Sequence, residues 1–298
     1  MSINRRTFLQ STLATTTALA TRGAYATPLA DEKKPKLKKA VKYGMIQTKG
    51  TIEEKFELIK SLGFLGVEVD SPSNINKDEA VKARDKTGIV IHGVIDSVHW
   101  KDTLSDPDEK VREKGLKALT GALDDAKVYG ADTALLVPGV VKGDVTYEQC
   151  WQRSSAEVRK AIPVAERNNV KIAIEVVWNN FLTTPEQLIE YVDQFKSPFV
   201  GAYFDCSNML KYGVKSGDWI RKLGKRMLKF DFKGFSITKF KEGKNAWVNI
   251  GEGDEDWPDV LKALAEVGYN GWATAEVGGG GREKLKEIAE RMTKVLEQ

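Results

Sequence analysis

The sequence predicts an α/β protein, a single-domain (β/α)8 TIM barrel, on three observations. Eight strand-like runs alternate with helix-like segments from about residue 41 to the C-terminus. Strands that alternate with helices pair in parallel through right-handed crossovers. Eight such units close a barrel of about 250 residues, which a chain of 298 accommodates. The first run leads into Met45-Ile46-Gln47-Thr48-Lys49-Gly50, without the glycine-rich turn that an open doubly wound sheet places after its first strand.

In order, Lys42 to Gln47 is the first apolar run. Thr51 to Leu62 has helical spacing, with Phe56, Ile59 and Leu62 on one face and Gly63 as its stop. Gly66 to Asp70 is a short strand, Lys77 to Lys86 a helix, and Ile89 to Asp96 a β-branched strand. Asp108 to Tyr129 is a long amphipathic helix closed by Gly130. Thr133 to Val137 is a strand ended by Pro138-Gly139, and Tyr147 to Asn168 a helix. Lys171 to Val177 is strand five; Pro185 to Phe195 is a helix with proline in its first turn. Val200 to Asp205, Met227 to Phe232 and Trp272 to Val277 are the last three strands. The helices Asp218 to Leu223, Trp257 to Val267 and Glu283 to Leu296 follow them in turn.

The N-terminus reads as an address. Asn4-Arg5-Arg6-Thr7-Phe8-Leu9-Gln10 resembles the twin-arginine export signal, Ser11 to Ala20 is mildly apolar, and Ala24-Tyr25-Ala26 fits a small-x-small cleavage site. Residues 1–26 are therefore expected to be an export signal, 27–40 a Lys-rich linker and 41–298 the barrel. The mature protein is expected in the periplasm or secreted, with no membrane span.

The formal charge is +4, but Arg5, Arg6 and Arg22 lie in the acid-free leader, so the mature chain is close to neutral. That gives no global attraction to nucleic acid or to anionic membrane. Hydrophobic content of 41% and charged content of 30% fit a globular protein. Cys150, on a helix, and Cys206, at a strand end, are expected to remain buried thiols.

In a barrel of this kind the active site lies where strands end and the following loops begin. Strand five ends Ile174-Glu175-Val176-Val177, strand six Tyr203-Phe204-Asp205 and strand eight Thr274-Ala275-Glu276-Val277; strand seven contains Phe230-Asp231-Phe232-Lys233. Each carries one carboxylate between apolar neighbours. A charge inside a strand is costly to desolvate unless something pairs with it, and four at one mouth repel one another. A divalent cation resolves both problems, and carboxylate oxygens suit Mn²⁺ or Mg²⁺. Each also has a structural alternative: an arginine partner for Glu175, a cap by Asp205, an Asp231–Lys233 pair, and glycine N–H groups for Glu276.

These residues resemble the xylose isomerase-like barrels, specifically the sugar phosphate isomerase/epimerase family, from about Val41 to the C-terminus. The resemblance implies one divalent metal held by Glu175, Asp205, Asp231 and Glu276. The family's His-x-Lys-Asp on strand seven stands here as Asp231-Phe232-Lys233-Gly234, and its Asp-x-x-His on strand six as Asp205-Cys206-Ser207-Asn208. Asp231 thus occupies the position of a neutral histidine. That substitution raises the site from three negative charges to four, near −2 with a divalent ion bound, and favours hard metals over Zn²⁺. The implied chemistry is isomerisation or epimerisation of a keto- or aldo-sugar through a cis-enediolate, with Glu175 and Glu276 moving protons and Lys233 stabilising the enolate.

Expected substrate contacts are Glu68, with Asp70, at the end of strand two, His99 and Trp100 in the loop after strand three, Trp178 and Asn179 after Glu175, and Asn208. His92 is expected in the core. Gly251-Glu252-Gly253 resembles a family loop, and Gly278 to Gly281 reads as a mobile loop rather than a phosphate-binding turn. Two other readings remain: a metal-dependent lyase or hydrolase of keto-sugar glycosides, and a non-catalytic exported sugar-binding barrel. A DNA-repair endonuclease is disfavoured by only two histidines and a near-neutral mature charge. The expected partner is a small carbohydrate, with a homo-oligomer left open.

Overall fold

The computed structural model describes residues 34–298. The expected export signal, and the expected linker through residue 33, lie outside the described residues. Strands β1 (Lys38–Lys42), β2 (Gly66–Ser71), β3 (Val90–Asp96), β4 (Thr133–Leu136), β5 (Lys171–Glu175), β6 (Val200–Asp205), β7 (Met227–Phe232) and β8 (Trp272–Ala275) form a closed parallel barrel in sequential order. Between them run α1 (Ile52–Ser61), α2 (Lys77–Thr87), α3 (Glu109–Tyr129), α4 (Tyr147–Asn168), α5 (Pro185–Asp193) and α6 (Ser216–Leu223). A short α7 (Ile237–Lys241) and α8 (Trp257–Glu266) separate β7 from β8, and α9 (Arg282–Leu296) closes the fold.

Local sequence sets the helix limits. Thr51 and Glu54, Thr146 and Gln149, and Thr184 and Gln187 each form a reciprocal cap that satisfies otherwise orphaned N–H groups. Gly88 and Gly130 end α2 and α3 with positive φ, which glycine adopts without steric cost. No helix among the described residues is long and apolar enough to cross a membrane. Cys150 and Cys206 are free and buried, as expected.

The first strand lies earlier in the chain than the apolar run suggests. Strand β1 is Lys38–Lys42, so the barrel claims the last residues of the expected linker, and Tyr43–Met45 forms a single 3₁₀ turn. The lysines there are not a solvated tail. Lys39 Nζ donates to Thr293 Oγ1 at 2.7 Å, and Lys38 lies over the Trp272 ring. Hydrophobic-run reading misses this strand because three of its five residues are lysines.

Alternation along β6 and β7 aims the acids inward. Phe204, Phe230 and Phe232 face the helical layer, with Phe204 stacked on Trp219 of α6 and Phe232 on Trp257 of α8. With a period of two, Asp205 and Asp231 must then point into the barrel, and the register pairs them side by side. The barrel interior is unusually polar. Glu68, His92, Tyr203, Lys229, Asp231 and Thr274 are all buried. Lys229 Nζ reaches Asp132 Oδ1 at 2.7 Å and the His92 carbonyl at 2.9 Å, so its charge has partners, as a buried ammonium requires. His92 stacks on Trp272 in the core, as the sequence predicts.

Candidate metal centre

Glu175, Asp205, Asp231 and Glu276 converge at the C-terminal mouth, each offering one oxygen within 4.8 Å of the others. Asp205 Oδ1 accepts the backbone N–H groups of Ser207 and Asn208 at 2.7 and 2.8 Å. It thereby caps the turn after β6 and still leaves Oδ2 facing the cluster. Asp231 Oδ1 accepts the Tyr203 hydroxyl at 2.7 Å. Asp205 Oδ2 and Asp231 Oδ2 are buried and take no hydrogen bond, although a lysine ammonium lies near each. An all-carboxylate donor set whose oxygens converge this closely fits a hard divalent cation. The cation that acts on Glu175 is Lys42 rather than an arginine, so the arginine alternative does not apply.

Two lysines cross this cluster. Lys233 Nζ lies 2.9 Å from Glu276 Oε2, 3.4 Å from Asp205 Oδ2 and 3.3 Å from Asn208 Oδ1. Asp231 does not pair with Lys233. Its partner is Lys42 on β1, whose Nζ is 2.9 Å from Asp231 Oδ2, 3.4 Å from Glu276 Oε1 and 3.8 Å from Glu68 Oε2. The charge expected from the sequence is corrected accordingly. Four carboxylates share the site with two ammoniums, so a divalent ion would leave it close to neutral.

Electrostatics separate the four acids. Burial, reinforced by Glu276, pushes the Glu175 carboxyl well above its ordinary range. Burial also raises Asp231 and Asp205, against the opposing pull of Lys42 and Lys233 respectively. Burial would raise Glu276 too, but Lys42 and Lys233 together hold it down at about 2.

The expected substrate contacts divide. His99 Nδ1 accepts the Val137 N–H at 3.2 Å, which leaves Nε2 carrying the proton. Burial depresses its pKa to about 4, so the imidazole is neutral near pH 7. Trp100 packs edge-on against His99 and is about half exposed. Asn208 is buried, donates to the Val176 carbonyl, and steadies Lys233. Asp70 remains partly accessible at the end of β2.

Three expected contacts already have protein partners. Glu68 is fully buried beneath the mouth, bonded to the Tyr203 hydroxyl and beside Lys42. Asn179 is buried, donating to the Gly139 carbonyl and accepting the Phe181 N–H. Trp178 is partly buried, with Trp247 stacked on it at 5.0 Å and the Lys211 ammonium 4.3 Å from its ring. The glycine run is not a free loop either: Gly280 exchanges backbone hydrogen bonds with Met45 and Gln47.

Sequence reasoning missed Lys42, Trp247 and Glu255. A cavity of about 650 Å³ opens beside Glu276 and Lys233, walled by Trp247, Asn245, Asn249 and Lys284. Glu255 Oε1 accepts from Ser207 Oγ and from the Phe235 N–H, both at 2.7 Å. No local signal singled out Glu255, because Glu252, Asp254 and Asp256 surround it in the same short run.

Comparison with known proteins adds the following. A family model described as xylose isomerase-like TIM barrel matches residues 56–297. L-ribulose-5-phosphate 3-epimerase UlaE of Escherichia coli (strain K12 / DH10B) is 24% identical over 233 residues, covering 73% of this chain and 79% of UlaE. Among solved structures, 3-keto-D-glucoside 4-epimerase YcjR from E. coli superposes with a TM-score of 0.75 at 16% identity, over 88% of this chain and 100% of that one. The IolI protein with a bound zinc atom gives a TM-score of 0.73 at 18% identity, over 88% and 98% of the two chains.

Proposed function

Since the chain belongs to the xylose isomerase-like TIM barrel family, we propose that it is a sugar isomerase or epimerase working with one divalent cation held by Glu175, Asp205, Asp231 and Glu276. The observation that carries this reading is the convergence of four carboxylates, three of them buried, each with one oxygen within 4.8 Å of the others. Relatives named as epimerases support it, and a relative solved with zinc supports metal binding at this fold. The all-oxygen donor set favours Mn²⁺ or Mg²⁺.

A divalent ion there supplies Lewis acidity toward a sugar carbonyl and its neighbouring hydroxyl. The chain's own residues do the rest. Glu175 and Glu276, on β5 and just beyond β8, are the two groups assigned to take a proton from the sugar carbon and to return one. Return to the opposite face of that carbon is epimerisation, and return to the adjacent carbon is isomerisation; both pass through a cis-enediolate. Lys233, fixed by Glu276, Asp205 and Asn208, places an ammonium where negative charge develops on oxygen. His99 offers a neutral N–H donor to a sugar oxygen at the same mouth. Export through the twin-arginine segment, placing the enzyme in the periplasm or outside the cell, is part of this proposal.

A second reading is favoured by the cavity. About 650 Å³ beside Glu276 leaves room for more than one sugar ring, which suits a keto-sugar glycoside undergoing elimination or hydrolysis by the same proton abstraction.

The test is metal content of the purified protein, wild type against Glu175→Gln/Glu276→Gln, followed by a screen of ketoses, ketose phosphates and 3-keto-glycosides. About one divalent ion per chain, lost in the double variant, is expected. Turnover of free or phosphorylated ketoses supports the epimerase, and release of a free sugar from a glycoside supports the second reading. A wild type that takes up no divalent ion in excess overturns both and leaves a sugar-binding barrel.

A further inference from the structure

Lys42 is the only residue of β1 whose side chain reaches the carboxylate cluster. The register of β1 sets Lys42 beside Glu68 and Val41 beside Ala275, next to Glu276. The ammonium lies over the Tyr203 ring, 5.6 Å from its centroid, and meets Asp231 at 2.9 Å and Glu276 at 3.4 Å. The side chain is only 12% exposed, so solvent screens these contacts little. Its charge therefore acts directly on any ion placed among the four carboxylates.

The arithmetic of the centre depends on this residue. With all four carboxylates ionised around an ion they carry four negative charges, and Lys233 and Lys42 offset two, which leaves the balance one divalent cation neutralises. Glu68, 3.8 Å from Lys42, lies outside this count, and burial favours its neutral form. Without Lys42 the centre would hold one excess negative charge against Asp231 and Glu276. Without Asp231 it would hold an ammonium with no close partner except Glu276 and the more distant Glu68.

Resting on the metal reading above, we propose that Lys42 is the counter-charge to Asp231 and sets how tightly the centre holds a divalent cation. The pair lets a fourth carboxylate enter the centre without raising its net charge. Lys42 is a charge-setting residue, and it competes with the ion for Asp231 and Glu276.

The experiment is a Mn²⁺ titration of metal-stripped full-length protein, following the free ion by its electron paramagnetic resonance signal. Four proteins are compared: wild type, Lys42→Met, Asp231→Asn, and the double variant. Removing a like charge a few ångströms from the ion is expected to tighten binding in Lys42→Met by at least about tenfold. Asp231→Asn is expected to weaken it by about tenfold or more, and the double variant to return within about threefold of wild type. The double variant loses both charges together and keeps the test open if Lys42→Met does not fold. A Lys42→Met protein that binds no tighter than wild type, or a double variant as weak as Asp231→Asn, overturns the proposal while leaving the metal centre intact. A wild type that binds no Mn²⁺ overturns the metal centre itself, and this inference with it.

Discussion

Ser207 donates its hydroxyl hydrogen to Glu255 Oε1 at 2.7 Å, across the gap between the loop after β6 and the long excursion before α8. The same oxygen accepts the Phe235 N–H at 2.7 Å. Ser207 stands two residues after Asp205, and Phe235 two residues after Lys233. One buried carboxyl group thus ties together the two loops that carry a cluster acid and its lysine. Its other oxygen has no hydrogen-bond partner, and burial pushes its pKa to about 7.

That value fixes the sign of a pH effect. A carboxyl raised from an ordinary 4.5 to about 7 keeps its proton longer in the folded state than in the unfolded one. Its contribution to stability is full below about pH 4.5 and is lost as pH rises through 7. Glu255→Gln keeps the acceptor for Ser207 and Phe235 and cannot ionise. Denaturant unfolding at pH 5 and pH 8 should show the variant gaining on wild type at the higher pH, by up to about 3 kcal/mol. An unchanged difference at the two pH values would show that Glu255 ionises normally.

His99 should titrate far from the usual histidine range. With Nδ1 accepting the Val137 N–H and a pKa near 4, it should show one neutral tautomer, protonated at Nε2, from pH 5.5 to 8. Nitrogen-15 chemical shifts of the imidazole report this directly. A midpoint close to 6.5 would remove His99 as a neutral donor.

Lys233→Met should leave the fold intact and lower kcat on the identified sugar by roughly 10²–10³-fold, the typical cost of one donor to a developing oxyanion. Steady-state kinetics with far-ultraviolet circular dichroism measure both. A variant that raises KM alone would make Lys233 a binding group only.

The glycines before α9 should differ sharply. A Cβ at Gly279 would overlap the backbone of Met45, whereas Gly278 and Gly281 face open space. Gly279→Ala should cost about 1–3 kcal/mol and Gly278→Ala less than about 0.5 kcal/mol. Urea midpoints of the two variants decide it, and equal midpoints would mean the strap to Met45 is loose.

Several features could be read before folding was known. The inward aim of Asp205 and Asp231 follows from the phenylalanines beside them, since a strand has a period of two. The dual part of Asp205, as cap and cluster member, was among the expected alternatives. Other readings failed for one reason: position after a strand end gives the mouth of the barrel but not what already occupies a side chain. Trp178 looked free to stack on a sugar, yet Trp247, some seventy residues later, already stacks on it. Glu68 looked like a mouth residue, yet Tyr203 and Lys42 close over it.

By itself, the sequence determined the barrel, its helix limits and the four inward carboxylates, because those depend on alternation, capping and turn chemistry within short windows. The tertiary structure alone decided the charge of the centre. Lys42 and Asp231 are far apart in the chain, and nothing in their local sequences links them. Only closure of β1 against β8 brings the ammonium to the carboxylate, and at a few ångströms in a poorly screened interior that distance controls the electrostatics.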